Sequence, residues 1–265
     1  VDLYERLSDD ELINRDRTYA ITHSSRKILE KIGLWSHIVS DLIPFQYLNV
    51  IDFEINKKVQ FLVNDLKKKD RKYSAVGWIA EHKTIMFSIL QLISDIDSIN
   101  KIPTSVIPNT NNYDLIVAAD GSKSTIKKKL GTLSFTFNYD QVCITTKVLL
   151  RGAKSSEAYE ILTGEGPLAV LPLGGDLFQI ICSQSLKKGS NNLSLPKSLF
   201  LDYLSTILPY GIEPDTIVDE PKSYPIKFLL NYSFHSGKYI YLGETAHVFH
   251  PVGGQGLNLC WRDVE

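Results

Sequence analysis

Residues 237–263 read GKYIYLGETAHVFHPVGGQGLNLCWRD. Tyr239 to Leu242 predicts a short apolar strand, and Gly243-Glu244 follows it. Pro251, Gly253, Gly254 and Gly256 then make a turn, and a helix is expected to start at Leu257-Asn258-Leu259. A strand that runs through a glycine turn into a helix N-terminus is a docking place for a phosphate or another electron-rich group. The turn bares N–H groups and the helix end carries partial positive charge. Glycine lets a flat ligand lie on the main chain with no Cβ in the way. The expectation is that a cofactor sits here.

The rest of the chain supports a folded, uncharged frame for that element. Its 265 residues are 43% hydrophobic, enough for one large domain or two interleaved ones. A net charge of −1 gives no electrostatic case for nucleic acid as a partner. Cys143, Cys182 and Cys260 form no CxxC pair, which fits reduced thiols better than a disulfide framework. No apolar run reaches the ~18 residues of a membrane span. VDLYER at the start does not resemble a signal peptide. The chain lacks an initiator Met, opens inside a strand and stops as a helix gets under way. It is therefore expected to be a piece of a longer protein.

In order along the chain, Val1 to Glu5 predicts a strand ending in an acid, the residue type that accepts from a ribose in dinucleotide folds. Arg17 to Trp35 predicts a helix, with Ile28, Leu29, Ile32 and Leu34 at helical spacing, Ser24 or Ser25 as its cap and Gly33 at its end. Phe45 to Gln60 reads as a hairpin, and the basic run Lys67 to Lys72 as a solvated loop. Trp78 to Lys83 leads into a helix over Thr84 to Ser94. Asn109 to Asn112 is a polar turn feeding the run Tyr113 to Ala119, expected as a buried parallel strand. Asp120-Gly121-Ser122-Lys123-Ser124 then makes a second strand–turn–helix, with Lys127 to Lys129 as a solvated helix face. From Tyr139 to Tyr232 strand-like runs recur at Val142 to Leu150, Leu168 to Leu171, Leu177 to Cys182 and Tyr224 to Leu230, broken by one helix at Pro196 to Leu208. That alternation predicts a mostly antiparallel sheet inserted between pieces of an α/β nucleotide fold. His247 and His250 stand three apart with no third ligand near. They are read as packing or hydrogen-bonding groups, and no metal is assigned. Cys260 reads as a small buried hydrophobe.

Three motifs in order carry a resemblance. Asp120-Gly121 to Lys127 is similar to DGxxSxxR, with Lys127 where Arg is usual. Gly166 to Leu173 reads GPLAVLPL. Gly243 to Asp263 is similar to GDAAHxxxPxxGQGxNxGxxD, with Glu244 for the usual Asp and Cys260 for the usual Gly. Together they resemble the class A flavin-dependent aromatic hydroxylases of the para-hydroxybenzoate hydroxylase fold, and most of all the ubiquinone-biosynthesis hydroxylases. Glu81-His82-Lys83 resembles that subfamily's ENR segment.

The resemblance implies an α/β fold. A Rossmann-like FAD-binding domain (pieces 1–45, 82–138 and 233–265) would carry an inserted, mostly antiparallel β-sheet substrate domain (46–81 and 139–232). The first strand and GxGxxG loop are missing here and expected just before Val1. The segment Ile102 to Asn112 is shorter than in the family.

The resemblance also implies FAD, with NADPH or NADH as electron donor. FAD would deliver an oxygen atom to an aromatic ring, a polyprenylated phenol of ubiquinone biosynthesis. Alternatives are a related flavin enzyme on another small aromatic or prenyl substrate, and a non-catalytic flavoprotein-like scaffold. It places the flavin ring on Pro251 and Gly253 (positioning groups, with no acid or base assigned) and on Gly254, Gly256, Leu257 and Asn258. Asn258 with neighbouring amides would face the carbonyl edge of the ring. Glu244 would take the ribityl and pyrophosphate, Asp120 and Gly121 the phosphates, Glu5 the adenosine ribose. Arg17 and Lys83 would approach the cofactor. Leu171, Pro172 and Tyr224 would roof the substrate. A lipid-like substrate carries the further expectation of a cytoplasmic protein peripheral to the inner membrane, within a biosynthetic complex.

Overall fold

The computed structural model describes residues 1–104 and 109–265, the Thr110 side chain excepted. The chain opens with β1 (Asp2–Glu5) and α1 (Asp9–Ile13). Ser8 caps α1 reciprocally: Glu11 N–H donates to Ser8 Oγ, and Ser8 N–H donates to the Glu11 carboxylate. Next come β2 (Thr18–Ile21), α2 (His23–Lys31), α3 (Trp35–Ile38) and β3 (Ile43–Phe45), then the hairpin β4 (Tyr47–Asp52) and β5 (Lys57–Leu62). β6 (Gly77–Glu81) runs into α4 (His82–Ser94), and β7 (Asn100–Pro103), β8 (Ile116–Ala118) and α5 (Thr125–Lys129) follow. Four long strands come after them: β9 (Ser134–Arg151), β10 (Glu157–Thr163), β11 (Gly166–Gly174) and β12 (Leu177–Ser185). Two helices, α6 (Leu186–Leu193) and α7 (Lys197–Ile207), lead to β13 (Glu213–Ile217) and β14 (Lys222–Asn231). The chain closes with β15 (His235–Ser236), β16 (Tyr239–Tyr241), β17 (His247–Val248) and α8 (Gln255–Val264).

Among the described residues the largest sheet has the order β17-β14-β9-β12-β11-β10-β4-β5, with β13 also on β9. Its strands are antiparallel except where β10 meets β4. Alternation gives it two faces. One carries Ile161, Leu168, Val170, Phe178 and Ile180, all fully buried against Phe200 and Leu204 of α7. The other carries Ala158 and Leu171 and packs on Phe45 of β3 and Ile79 of β6. That second face roofs the glycine turn before α8. The hairpin, the inserted sheet and the α7 helix thus stand as expected from the sequence.

Among the described residues three smaller sheets stand beside the large one. β1 pairs with β7 and β8 with β16, both in parallel. β2 and β3 flank β6. β6 thus joins residues 77–81 to the N-terminal piece, and β9 runs unbroken through 138–139.

Four local expectations change. Arg17 to Trp35 is not one helix. Thr18 to Ile21 is β-branched and aromatic and pairs with β6, so α2 begins only at His23, with Thr22 as N-cap and Ser24 and Ser25 inside the helix. Gly33 does follow the helix end, at φ +79°. Tyr113 to Ala119 gives a strand of three residues whose Leu115 and Val117 neighbours are 54% and 51% exposed, because no strand covers that side among the described residues. Lys127 is half-buried and donates to Asn231 Oδ1 at 3.2 Å, unlike exposed Lys128 and Lys129. Asp70 in the basic run is buried and pairs with Arg26 at 3.0 Å and Lys27 at 3.1 Å, which pins that loop to α2. The segment Ile102 to Asn112 is described only at its ends, as β7 and the turn Thr110–Asn112, and residues 105–108 lie outside the described residues.

Two glycines separate strain from space. Gly152 has φ +78°, and a Cβ there would lie 2.0 Å from Gly211 O, whereas Gly131 at φ +63° would meet nothing within 4 Å. Gly131→Ala should lose about 1–2 kcal/mol, the cost of a left-handed Cβ alone. Gly152→Ala should lose about 3 kcal/mol or more, because backbone must also move. Urea unfolding of the two variants, with equal m-values, measures the difference.

Candidate cofactor site

Helix α8 begins without a side-chain cap. Its N-cap Gly254 has φ +61° and Gly253 before it +67°, so the turn is closed to larger residues. Gly253, Gly254 and Gly256 are exposed, and a Cβ on Gly256 would meet nothing within 4 Å. The first N–H groups of a helix lack intrahelical partners. The result is a bare strip of main chain with donor groups at a positive helix end, matching what a flat, electron-rich ring with an acceptor edge needs.

That strip is fixed from below. A Cβ on Gly254 would lie 3.3 Å from Ala20 Cβ, so the turn lies against β2. Asn258, fully buried, does the fastening. Its Nδ2 donates to Ala20 O at 2.7 Å and Gly254 O at 3.0 Å. Its Oδ1 accepts from Thr22 N (3.1 Å), Thr22 Oγ1 (3.1 Å) and Ser25 Oγ (2.6 Å). The carboxamide is thereby used up inside the protein. Contrary to the expectation, the Asn258 side chain does not face a ring edge, and only its main chain can.

The two glycine–acid motifs form one unit. Gly243, at φ +58°, donates its N–H to Asp263 Oδ2 at 2.8 Å, and His247 Nε2 lies 2.7 Å from the same oxygen. Gly121, at φ +84°, donates to Thr245 Oγ1 at 2.9 Å, and Thr245 Oγ1 lies 3.3 Å from Asp120 Oδ1. The other Asp120 oxygen accepts from Thr125 N at 2.9 Å, at the start of α5. Glu244 stands exposed on this unit. Arg17 is exposed too. The charges of Arg17 and Glu244 both act on the Tyr19 hydroxyl, which burial pushes above the usual tyrosine value, so these two expected residues share a neighbourhood. Cys260 packs under Gly243, and burial pushes its thiol up to about 11, so it is a protonated packing group as expected.

Other expected residues stand apart. The Glu5 carboxylate accepts from Leu7 N at 2.9 Å and holds its own turn. Lys83 is exposed and pairs with Glu81 at 3.0 Å. Leu171 is buried on the roof face within the Phe45 and Ile79 cluster, Pro172 next to it is buried but points by alternation to the α7 side, opposite Phe178, and Tyr224 is 46% exposed, so the three do not line one pocket. Pro251 is half-buried at the start of the turn. Among the described residues no three His, Cys, Asp or Glu side chains come together as a metal site.

Three groups escaped the sequence reading. Thr245 sits inside the quoted motif, and only the fold shows it joining Gly121 to Glu244. Lys147 of β9 reaches Glu81 at 2.8 Å and Asp16 at 3.6 Å, and Thr18 Oγ1 donates to Gln179 Oε1 at 3.1 Å, which seams the roof to the cofactor half. Burial would raise the Glu81 carboxyl, but hydrogen bonds from Lys147 and Lys83 outweigh it and hold it below the usual range. Third, Gly253 N–H donates to Glu160 Oε1 on β10 at 3.3 Å.

Residues 109–265 match the FAD binding domain family, and the chain belongs to that family. It is 25% identical to the uncharacterized protein slr1300 of Synechocystis, over 98% of this chain and 66% of that one. It is 23% identical to the mitochondrial ubiquinone biosynthesis monooxygenase COQ6 of Drosophila melanogaster, over 95% of this chain and 63% of that one. The chain therefore spans just under two thirds of these relatives' length. Its fold is that of PqsL of Pseudomonas aeruginosa, crystallised with 2-aminobenzoylacetate: TM-score 0.79, 14% identity, 99% of this chain and 76% of that one.

If Asn258 fastens the turn, Asn258→Ala should cost about 3 kcal/mol, since Thr22 N–H, Ser25 Oγ and two carbonyls lose their partner together. The denaturant midpoint measures it, and an unchanged midpoint contradicts the role.

Proposed function

We propose that this chain belongs to an FAD-dependent monooxygenase that hydroxylates an electron-rich aromatic ring, with a polyprenylated phenol of ubiquinone biosynthesis as its substrate. The observation that carries the reading is the bare glycine strip before α8, fastened by Asn258 and roofed by the antiparallel sheet, in a chain of the FAD binding domain family. The name of the relative COQ6 supports the choice of substrate.

FAD, when bound, supplies the redox chemistry, taking electrons from NADPH or NADH and passing one oxygen atom of O2 to the ring. This chain supplies position and dryness. Pro251, Gly253, Gly254 and Gly256 would lie along the flavin ring, and main-chain N–H groups of the first α8 turn, at Leu257 and Asn258, would donate to its electron-rich edge. Glu244 would accept from the ribityl hydroxyls. Asp120 and Gly121 would lie near the phosphates and Glu5 at the adenosine ribose, with Arg17 and Lys83 as neighbouring cations. The roof sheet, with Leu171 in the packed part of its roof face, Pro172 next to it in the same strand and Tyr224 at its open part, would cover the substrate and exclude water. On this reading residues 1–45, 82–138 and 233–265 form the cofactor part, and 46–81 and 139–232 the substrate part.

The full-length protein reconstituted with FAD should be yellow, and a 2-polyprenylphenol should stimulate its NAD(P)H oxidation with formation of a hydroxylated product. A protein that stays colourless refutes the reading. A yellow protein that hydroxylates only unprenylated aromatics refutes the substrate assignment alone.

A prenylated substrate calls for contact with a membrane surface, and such contact is the remaining part of the proposal. Among the described residues no helix is long and apolar enough to cross a membrane. Lys67, Lys68, Lys69, Arg71 and Lys72 are exposed around the buried anchor Asp70. Each such cation near an anionic bilayer contributes about 1 kcal/mol. Replacing Lys67, Lys68 and Lys69 by serine should therefore weaken sedimentation with anionic vesicles by roughly a hundredfold, leaving neutral vesicles as the control. Equal sedimentation of both proteins contradicts the contact.

A further inference from the structure

Glu160 lies on the roof face of β10, opposite Val50 of β4 and Ala169 of β11. Its neighbours along that face are Ala158, fully buried, and Leu162. A carboxyl here is half-buried among apolar side chains, and other carboxyls in comparable places have cations: Glu157 has Lys154, Glu81 has Lys147 and Lys83, Asp70 has Arg26 and Lys27. Among the described residues no cation pairs with Glu160. The partner found for it is the Gly253 N–H, which reaches Oε1, and Oε2 has none among the described residues. Burial pushes the carboxyl above the usual glutamate range, and the Gly253 N–H only partly offsets that.

An acid left without a counter-charge costs stability wherever it sits, so a place for it in the packing alone is poorly motivated. Gly253 belongs to the turn proposed above to hold the flavin ring. An acid at that turn with one oxygen open is placed to receive a proton from whatever lies between turn and roof. Resting on the flavoenzyme reading, we propose that Glu160 is a catalytic residue of that reaction: its carboxylate accepts the hydroxyl hydrogen of the phenolic substrate and takes the proton as oxygen is inserted. The phenol O–H bond breaks, its electron pair stays with the ring oxygen, and a new O–H bond forms on Glu160. The ring carbon that gains the oxygen loses its hydrogen as a proton, which ends in the water formed from the second atom of O2, and Glu160 returns its own proton to the phenol oxygen as the ring regains its aromaticity. The electron pair left on the phenol oxygen is what makes the ring attack, so the role is general base catalysis, worth about a hundredfold or more.

The test uses full-length protein loaded with FAD and two probes, 2-geranylphenol and its methyl ether, whose binding is followed by the change in flavin absorbance. Wild type should bind the phenol about tenfold or more tightly than the ether, the usual margin for a hydrogen bond to a charged group. Glu160→Ala should erase that preference while FAD affinity holds. Glu160→Gln keeps an acceptor but cannot take the proton, so it should retain part of the preference and lose about a hundredfold in product formed, with flavin reduction by NAD(P)H unchanged. If Glu160→Ala keeps the phenol preference, or if its sole effect is weaker FAD binding, the acid is a strut for the turn and the proposal is wrong. If wild type holds no FAD, the flavoenzyme reading itself fails, and that outcome is visible before any variant is made.

Discussion

The Asn258 carboxamide is the interaction on which the site depends. A glycine turn has little of its own to hold its shape: Gly253 and Gly254 both sit in a conformation many residues avoid, and both are exposed. Free glycines would sample many backbone states, and a ligand would have to order them at an entropic cost. Asn258 removes that cost in advance. Its amide hydrogens take the carbonyls of Ala20 and Gly254, so strand β2 and the turn are held by one planar group. Its oxygen takes Thr22 and Ser25, so the start of α2 is held too. Because every polar atom of the group is satisfied, its burial costs little, while loss of any partner would leave another unsatisfied.

Around that fastening the architecture divides the labour. The large sheet has a packed face, closed by α7, and a roof face laid over β3, β6 and the turn. The seam between the roof and the smaller sheets is apolar where Ala158 and Leu171 meet Phe45 and Ile79, and polar beside that: Lys147 with Glu81 and Asp16, and Thr18 with Gln179. A seam of partly exposed ion pairs contributes little stability for each pair. It does fix direction and register, because the partners must meet at particular positions. Roof and turn meet directly where the Gly253 N–H reaches Glu160.

How much of this could be read beforehand depends on the range of the forces involved. The strands of the roof were visible because alternation and apolar runs are local, and so were the two glycine motifs, since positive φ strongly favours glycine. Arg17 to Trp35 read as one helix because the spacing of Ile28, Leu29 and Ile32 is helical. The strand Thr18 to Ile21 exists because β6 lies beside it, and that partner is 60 residues away in sequence. β10 went unread for the same reason: its pairing with β4 and β11 creates it. Asn258 was placed at the right element with the wrong role. A motif marks a position, whereas the direction of a side chain is set by Ala20, Thr22 and Ser25, which lie 238, 236 and 233 residues earlier.

The contrast between Asp263 and Glu160 shows how one fold gives two carboxyls opposite tasks. Asp263 receives the Gly243 N–H and lies against His247, so its charge is met on two sides and it serves to close the motif. Glu160 receives one weak N–H at 3.3 Å and otherwise faces an apolar strand surface. Burial without compensation favours the neutral acid, and its carboxyl is raised accordingly. A carboxyl made more basic by burial takes a proton more readily than one whose charge is met by partners. The roof strand that meets the turn at Gly253 therefore also sets the basicity of Glu160, and contact with the turn and proton handling become two results of the same packing.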